Sequence, residues 1–165
     1  MTSFRWIPQE GLRASLDQDE ATLLRHLIDE MKTLLEADLP RVDPVTARLF
    51  PDAHEDTEEA ESYRSLIGHE LRTAKLEALE AVSSRLGKSG ALETSIPEDE
   101  VTPWLTLVND LRLAIGTRLE VDETKMGSEL DPEHPDTPAM SVLHWLGWVQ
   151  ESILTAMTGR ETDDA

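Results

Sequence analysis

Apolar residues recur every three or four positions through four long segments of this 165-residue chain, and that period admits little besides packed helices. Leu23, Leu24, Leu27, Met31, Leu34 and Leu35 mark a first helix over residues 19–37, stopped by Pro40. Asp43-Pro44 is an N-cap followed by proline at the first helical position, opening a short helix through Leu49 and Phe50. A long helix is expected over 57–86, with Ala60, Tyr63, Ile67, Leu71, Ala74, Ala78 and Val82 inward and Gly87 as its stop. Val101, Trp104, Leu105, Val108, Leu111, Ile115 and Leu119 define a helix over 97–119. Val142, Leu143, Leu146, Val149, Ile153 and Met157 define the last, over 137–158. Residues 88–94 read as a loop, and Phe4–Ile7 with Leu12–Leu16 as a small hairpin or extended arm. The expected fold class is all-α: a bundle of four long helices and a short one, with a small N-terminal β-hairpin or arm. Residues 1–159 should form one domain and 160–165 an acidic disordered tail.

Several side chains break the pattern. Arg112 falls about 40° from Val108, near the centre of an apolar stripe, and Gln150 is equally central in the last helix. Glu70 borders the inward face of the long helix, Arg85 lies on it, and Glu20 opens the first helix on its inward side. A guanidinium in a core without partners would cost several kcal/mol, so an inter-helix network of Arg112 with Glu20 or Glu70, joined by Gln150, is expected. It reads as a register-fixing cluster, as a pocket for a small anion, or as part of a partner groove. Gly68, Gly116 and Gly147 lie inside helices, where each costs up to ~1 kcal/mol against Ala; close helix contact is the expected return. Trp148 projects away from the core stripe beside His144 and Glu151. Either the arm or a loop covers it, or these three residues form a partner surface or a homodimer contact.

The chain carries 34 acidic against 15 basic side chains, a formal charge of −19. Six acids and no Lys or Arg fall in 51–62, and seven acids against one Lys in 120–136. No basic recognition helix is visible, so direct nucleic-acid binding is not expected. The charge suits a basic protein partner instead. With no cysteine there is no disulfide, thiolate metal site or thiol switch. None of the five histidines sits in His-Glu-x-x-His or Glu-x-x-His, and no phosphate loop or nucleophile elbow occurs. A non-enzymatic protein with no cofactor and no metal is expected. No segment has the apolar length of a membrane span or a signal sequence, which places the chain in the cytoplasm.

Three segments, in order, then resemble one family. Asp43-Pro44-Val45-Thr46-Ala47-Arg48-Leu49-Phe50-Pro51-Asp52-Ala53 matches Asp-Pro-x-x-x-Arg-Leu-x-Pro-Asp-Ala. Asn109-Asp110-Leu111-Arg112-Leu113-Ala114-Ile115-Gly116-Thr117-Arg118-Leu119 matches Asn-Asp-x-Arg-Leu-x-x-Gly-x-Arg-Leu, and Trp145-Leu146-Gly147-Trp148-Val149-Gln150-Glu151 matches Trp-Leu-x-Trp-x-Gln-Glu. On these motifs the chain resembles the actinobacterial DUF2017 family, some of whose members are oxidative-stress transcriptional regulators, often encoded near a ClpS-type adaptor. The resemblance implies an all-helical regulator acting through protein contact, with a sigma factor or polymerase-associated factor as the kind of partner. An accessory role in ClpS-linked proteolysis, or a small-anion-binding domain centred on Arg112, are the alternatives. Redox regulators of this kind are expected to sense oxidants through cysteine, and this chain has none. Methionine oxidation at Met31, Met126, Met140 or Met157 is the chemistry that remains open, and thiol sensing falls to a partner. The charge reading is checked by a gel shift: at low salt the purified chain should leave duplex DNA unshifted.

Overall fold

The computed structural model describes residues 2–37, 44–49, 57–119 and 137–163, and their side chains apart from 46, 57–67 and 160–163. The expected acidic segment 120–136, most of the acidic run 51–62, the N-cap Asp43 and the stripe positions Ala60, Tyr63 and Ile67 lie outside these described residues or side chains.

The chain opens with strands β1 (Ser3–Ile7) and β2 (Gly11–Leu16), followed by helices α1 (Gln18–Glu36), α2 (Pro44–Leu49) and α3 (Thr57–Leu86). Strand β3 (Leu92–Ile96), a single 3₁₀ turn (Glu98–Glu100), α4 (Val101–Arg118) and α5 (Thr137–Asp163) complete it. At 1.5 Å per residue α3 spans about 45 Å, the long dimension of the helical layer. Helix α4 packs against α2, α3 and α5, and α1 packs against α3. The helical bundle with a small N-terminal hairpin is therefore the architecture observed, with one strand more than expected.

That strand is β3. The Gly- and Ser-rich approach at 87–91 reads as a loop, yet Leu92, Thr94 and Ile96 alternate with Glu93 and Ser95. Pairing with β2 turns the apolar set inward: Leu12 lies opposite Ile96 and Leu16 opposite Leu92. The sheet has order β1-β2-β3, both pairs antiparallel, and Leu12, Ala14 and Leu16 of the central strand are all buried. A hairpin is marginal alone, so the third strand and the helices beneath stabilise it. Phe4 of β1 meets Trp104 of α4 edge to face, centroids 6.4 Å apart.

Local sequence chemistry sets the joints. Asp17 caps α1, accepting from the Glu20 amide at 2.9 Å while Glu20 accepts from the Asp17 amide at 3.0 Å. Gly87 stands at φ 70° after α3. There Arg25 of α1 donates to the carbonyls of Leu86, Gly87 and Gly90 at 3.0, 3.1 and 2.8 Å, satisfying acceptors that the helix end leaves open. Arg85, on the inward side of α3, donates to Glu100 and to the Ser95 carbonyl at 3.0 Å, tying α3 to β3 and the 3₁₀ turn.

One inward face and two helix boundaries differ from expectation. The inward stripe of α3 runs through Lys75, Ala78, Leu79, Val82 and Leu86, and Ala74 is exposed. Helix α4 begins after a 3₁₀ turn, in which Pro97 is extended and its carbonyl accepts from the Glu100 amide at 2.9 Å. Helix α5 runs through Gly159 to Asp163, past the end expected at 158.

Gly11 cannot be replaced cheaply: φ is 104°, and a Cβ would stand 2.3 Å from the Ile96 carbonyl oxygen. Gly11→Ala should lose about 2 kcal/mol or more by urea denaturation, from backbone strain and a displaced β3.

Candidate functional site

The residues that broke the sequence pattern converge on α4 and α5. Arg112 Nη1 of α4 donates to the Gln150 side-chain oxygen of α5. Beneath it lies Gly147, where a Cβ would stand 3.7 Å from both Arg112 Nε and Nη2. A side chain larger than methyl would press on the guanidinium, so the small residue gives the cation its place. Arg112 is half-buried, and its Nε is buried without a hydrogen-bond acceptor.

This leaves Arg112 differently served from other basic side chains of the fold. Arg13 pairs with Glu93 at 2.8 Å, Lys32 with Glu80 at 3.1 Å, Lys75 with Asp110 at 2.7 Å and Arg85 with Glu100. Arg112 meets the neutral amide of Gln150, and no carboxylate among the described residues pairs with it. Of the expected network, then, Arg112 and Gln150 come together and the two acids do not. Glu20 is engaged in the α1 capping box and accepts from the Thr2 amide at 3.2 Å and from the Thr2 hydroxyl. The Thr2 hydroxyl in turn accepts from Trp145 Nε1 at 3.2 Å. Glu20 therefore locks the N-terminal strand to α1 and α5. Glu70 is exposed on α3, because the stripe of that helix runs through Lys75 instead.

The glycines separate in the same way. Gly147 adjoins Arg112, whereas an added Cβ at Gly68 or Gly116 meets nothing within 4 Å among the described residues. Among the described residues, close helix contact does not account for those two.

Trp148 is 47% exposed, so neither the arm nor a described loop covers it. Glu151 is exposed one turn further along, and Leu154 is 43% exposed. These are the two large hydrophobic residues exposed among the described ones, and both belong to α5. His144 differs from its expected companions: it is half-buried, and its Nε2 is buried without a partner. Among the described methionines, Met31 and Met140 are buried and Met157 packs against the core half-buried.

Sequence reasoning missed the Lys75–Asp110 pair, which joins α3 to α4 with side chains only 15% and 5% exposed. Burial pushes the Asp110 carboxyl above its ordinary range, and Lys75 draws it part of the way back. The desolvation therefore outweighs the attraction, as is common for buried pairs. The available signal was Asp110 three residues after Leu107, on a side of α4 that the expected stripe omitted. Among the described residues no group of three or more His, Asp or Glu could hold a metal, and no helix is long and apolar enough to cross a membrane.

The DUF2017 family model, described as a domain of unknown function, matches residues 1–157. The oxidative stress regulator AosR of Mycobacterium tuberculosis is 28% identical over 181 aligned positions, covering 89% of this chain and 82% of that protein. The AosR of Mycobacterium bovis matches to the same extent. A protein of Mycobacterium leprae named "Putative oxidative stress regulator AosR" is 31% identical over 130 positions, covering 70% of this chain and 58% of its own length. No solved structure matches.

Asp110→Ala should cost about 3–5 kcal/mol in urea unfolding, because it strands a buried ammonium. The pair replacement Lys75→Met with Asp110→Leu should recover most of that loss, since it removes both desolvated charges.

Proposed function

The chain belongs to the DUF2017 family, and on that premise we propose that it is a non-enzymatic regulator of an oxidative-stress response, acting by binding another protein. The observation that carries this reading is the outer face of α5, where Trp148 and Leu154 stand exposed on either side of Glu151. Monomeric proteins leave few large side chains open in this way, and tryptophan is the residue most often found at the energetic centre of an interface. The names of the mycobacterial relatives supply the process.

The partner's surface is basic, in keeping with a formal charge of −19 here, and a sigma factor or polymerase-associated factor is the class that fits. The oxidant itself is sensed elsewhere. This chain has no thiol, and its described methionines are buried or half-buried in the core. It therefore relays a state that a partner detects, or sets how much of that partner is free.

Trp148→Glu tests the reading with little risk to the fold, because the side chain is exposed. Expressed in place of the wild-type chain in the native bacterium, it should reproduce the change in peroxide-induced transcripts that deletion produces, while melting stays within a few degrees of wild type. A variant that supports a normal response would overturn the proposal. Capture of the partner by wild-type protein should weaken steeply as salt rises from about 0.1 M to about 0.5 M, where the Debye length falls well below 10 Å.

A further inference from the structure

Trp148, Glu151 and Leu154 succeed each other at three-residue intervals, which is one of the ridges by which helices pack. At 1.5 Å per residue, Trp148 and Leu154 are about 9 Å apart along the α5 axis with Glu151 midway. The row continues an exposed face that includes Ser141, Thr155 and Thr158. Its edge is bordered by Arg112, which reaches over Gly147 and Gln150 from α4. The patch thus holds two apolar anchors, an exposed carboxylate, and a half-buried guanidinium whose own chain supplies no acid among the described residues.

The overall charge of −19 draws a basic partner to the chain as a whole, but at this patch Glu151 and Arg112 present one charge of each sign. A surface that carries both charges beside two apolar groups is matched by itself. We propose that this face of α5 docks a second copy of the chain about a twofold axis through Glu151, an inference that rests on reading the face as a contact surface. A twofold contact is isologous, so each residue of the patch meets its counterpart across the axis. Rotation about Glu151 lays Trp148 of each copy against Leu154 of the other. It also brings the two Glu151 carboxylates to the axis, between the two Arg112 guanidinium groups, neither of which has a carboxylate partner among the described residues of its own copy. Helices packed 8–10 Å apart bring facing Cα atoms at the axis within disulfide distance.

Each copy carries a charge of −19, so the approach is opposed at long range. That repulsion is screened as the Debye length falls from about 10 Å at 0.1 M salt towards about 3 Å at 1 M. Self-association should therefore tighten with salt, whereas capture of a basic partner weakens.

The test uses the full chain in sedimentation equilibrium, together with single-cysteine variants, which are clean here because the sequence has no cysteine. The expected result is a monomer–dimer equilibrium that tightens severalfold between about 0.1 M and about 0.5 M NaCl. Trp148→Ala should weaken it about tenfold or more with an unchanged circular dichroism spectrum. On mild oxidation Glu151→Cys should yield a disulfide-linked dimer much faster than Ala74→Cys, whose site is exposed on α3. A chain that stays monomeric to millimolar concentration, a dimer that ignores Trp148→Ala, or equal cross-linking at the two cysteines would each overturn the proposal. If the chain is monomeric while Trp148→Glu still abolishes regulation in cells, the twofold pairing is wrong and the contact surface stands. If neither effect appears, both fall.

Discussion

Helix α4 has three helical neighbours, and the burial this demands organises the rest of the chain. Trp104, Leu107, Val108 and Leu111 are all buried, each contributing on the order of 1.5–3 kcal/mol, and α2, α3 and α5 pack around them. Two charged residues of α4 are drawn in as a consequence. Asp110 is carried into the contact with α3 and finds Lys75; Arg112 is carried into the contact with α5 and finds Gln150. The polar interactions follow from where the apolar faces force α4 to lie. The buried acid–lysine pair joins α3 to α4, and burial pushes the Asp110 carboxyl upward while Lys75 draws it part of the way back.

The opposite consequence appears on α5. Its inner side, from Met140 through Leu143, Leu146, Val149 and Ile153, is consumed by α4 and the sheet. Trp145 turns its indole N–H to Thr2 and so helps hold β1 in place. Trp148, three residues further on, is left outside with Leu154. One helix thus anchors the fold on one side and leaves an apolar ridge open on the other. The two tryptophans of a single short motif have separate physical roles.

Much of the fold was legible because it rests on period and punctuation. Leu24, Leu27, Met31 and Leu35 of α1, and Leu143, Leu146, Val149 and Ile153 of α5, repeat at helical spacing between recognisable starts. Gly87 ends α3 where its backbone preference says it should. Strand β3 escaped because five residues of alternation are a short signal, and its inward set is defined by pairing with β2, some eighty positions earlier. In the site, Arg112 with Gln150 could be read from angle alone, since both break an apolar stripe near its centre. Glu20 and Glu70 could not be placed: which acid meets which base depends on how neighbouring helices are rotated, and one helical period does not carry that. Lys75 was hidden for the same reason, since a lysine on an inward stripe is indistinguishable from a surface one until its acid is located on another helix.

The central claim is that packing around α4 leaves the outer face of α5 open for contact, with Trp148 as its anchor. Its most direct measurement is acrylamide quenching of tryptophan fluorescence in the dilute chain, compared between wild type and Trp148→Phe. The other tryptophans are buried or half-buried. The fluorescence lost on substitution should therefore be the most readily quenched component of the wild-type signal. If that lost component is as shielded from acrylamide as the remaining tryptophans, the face is covered and the claim is contradicted.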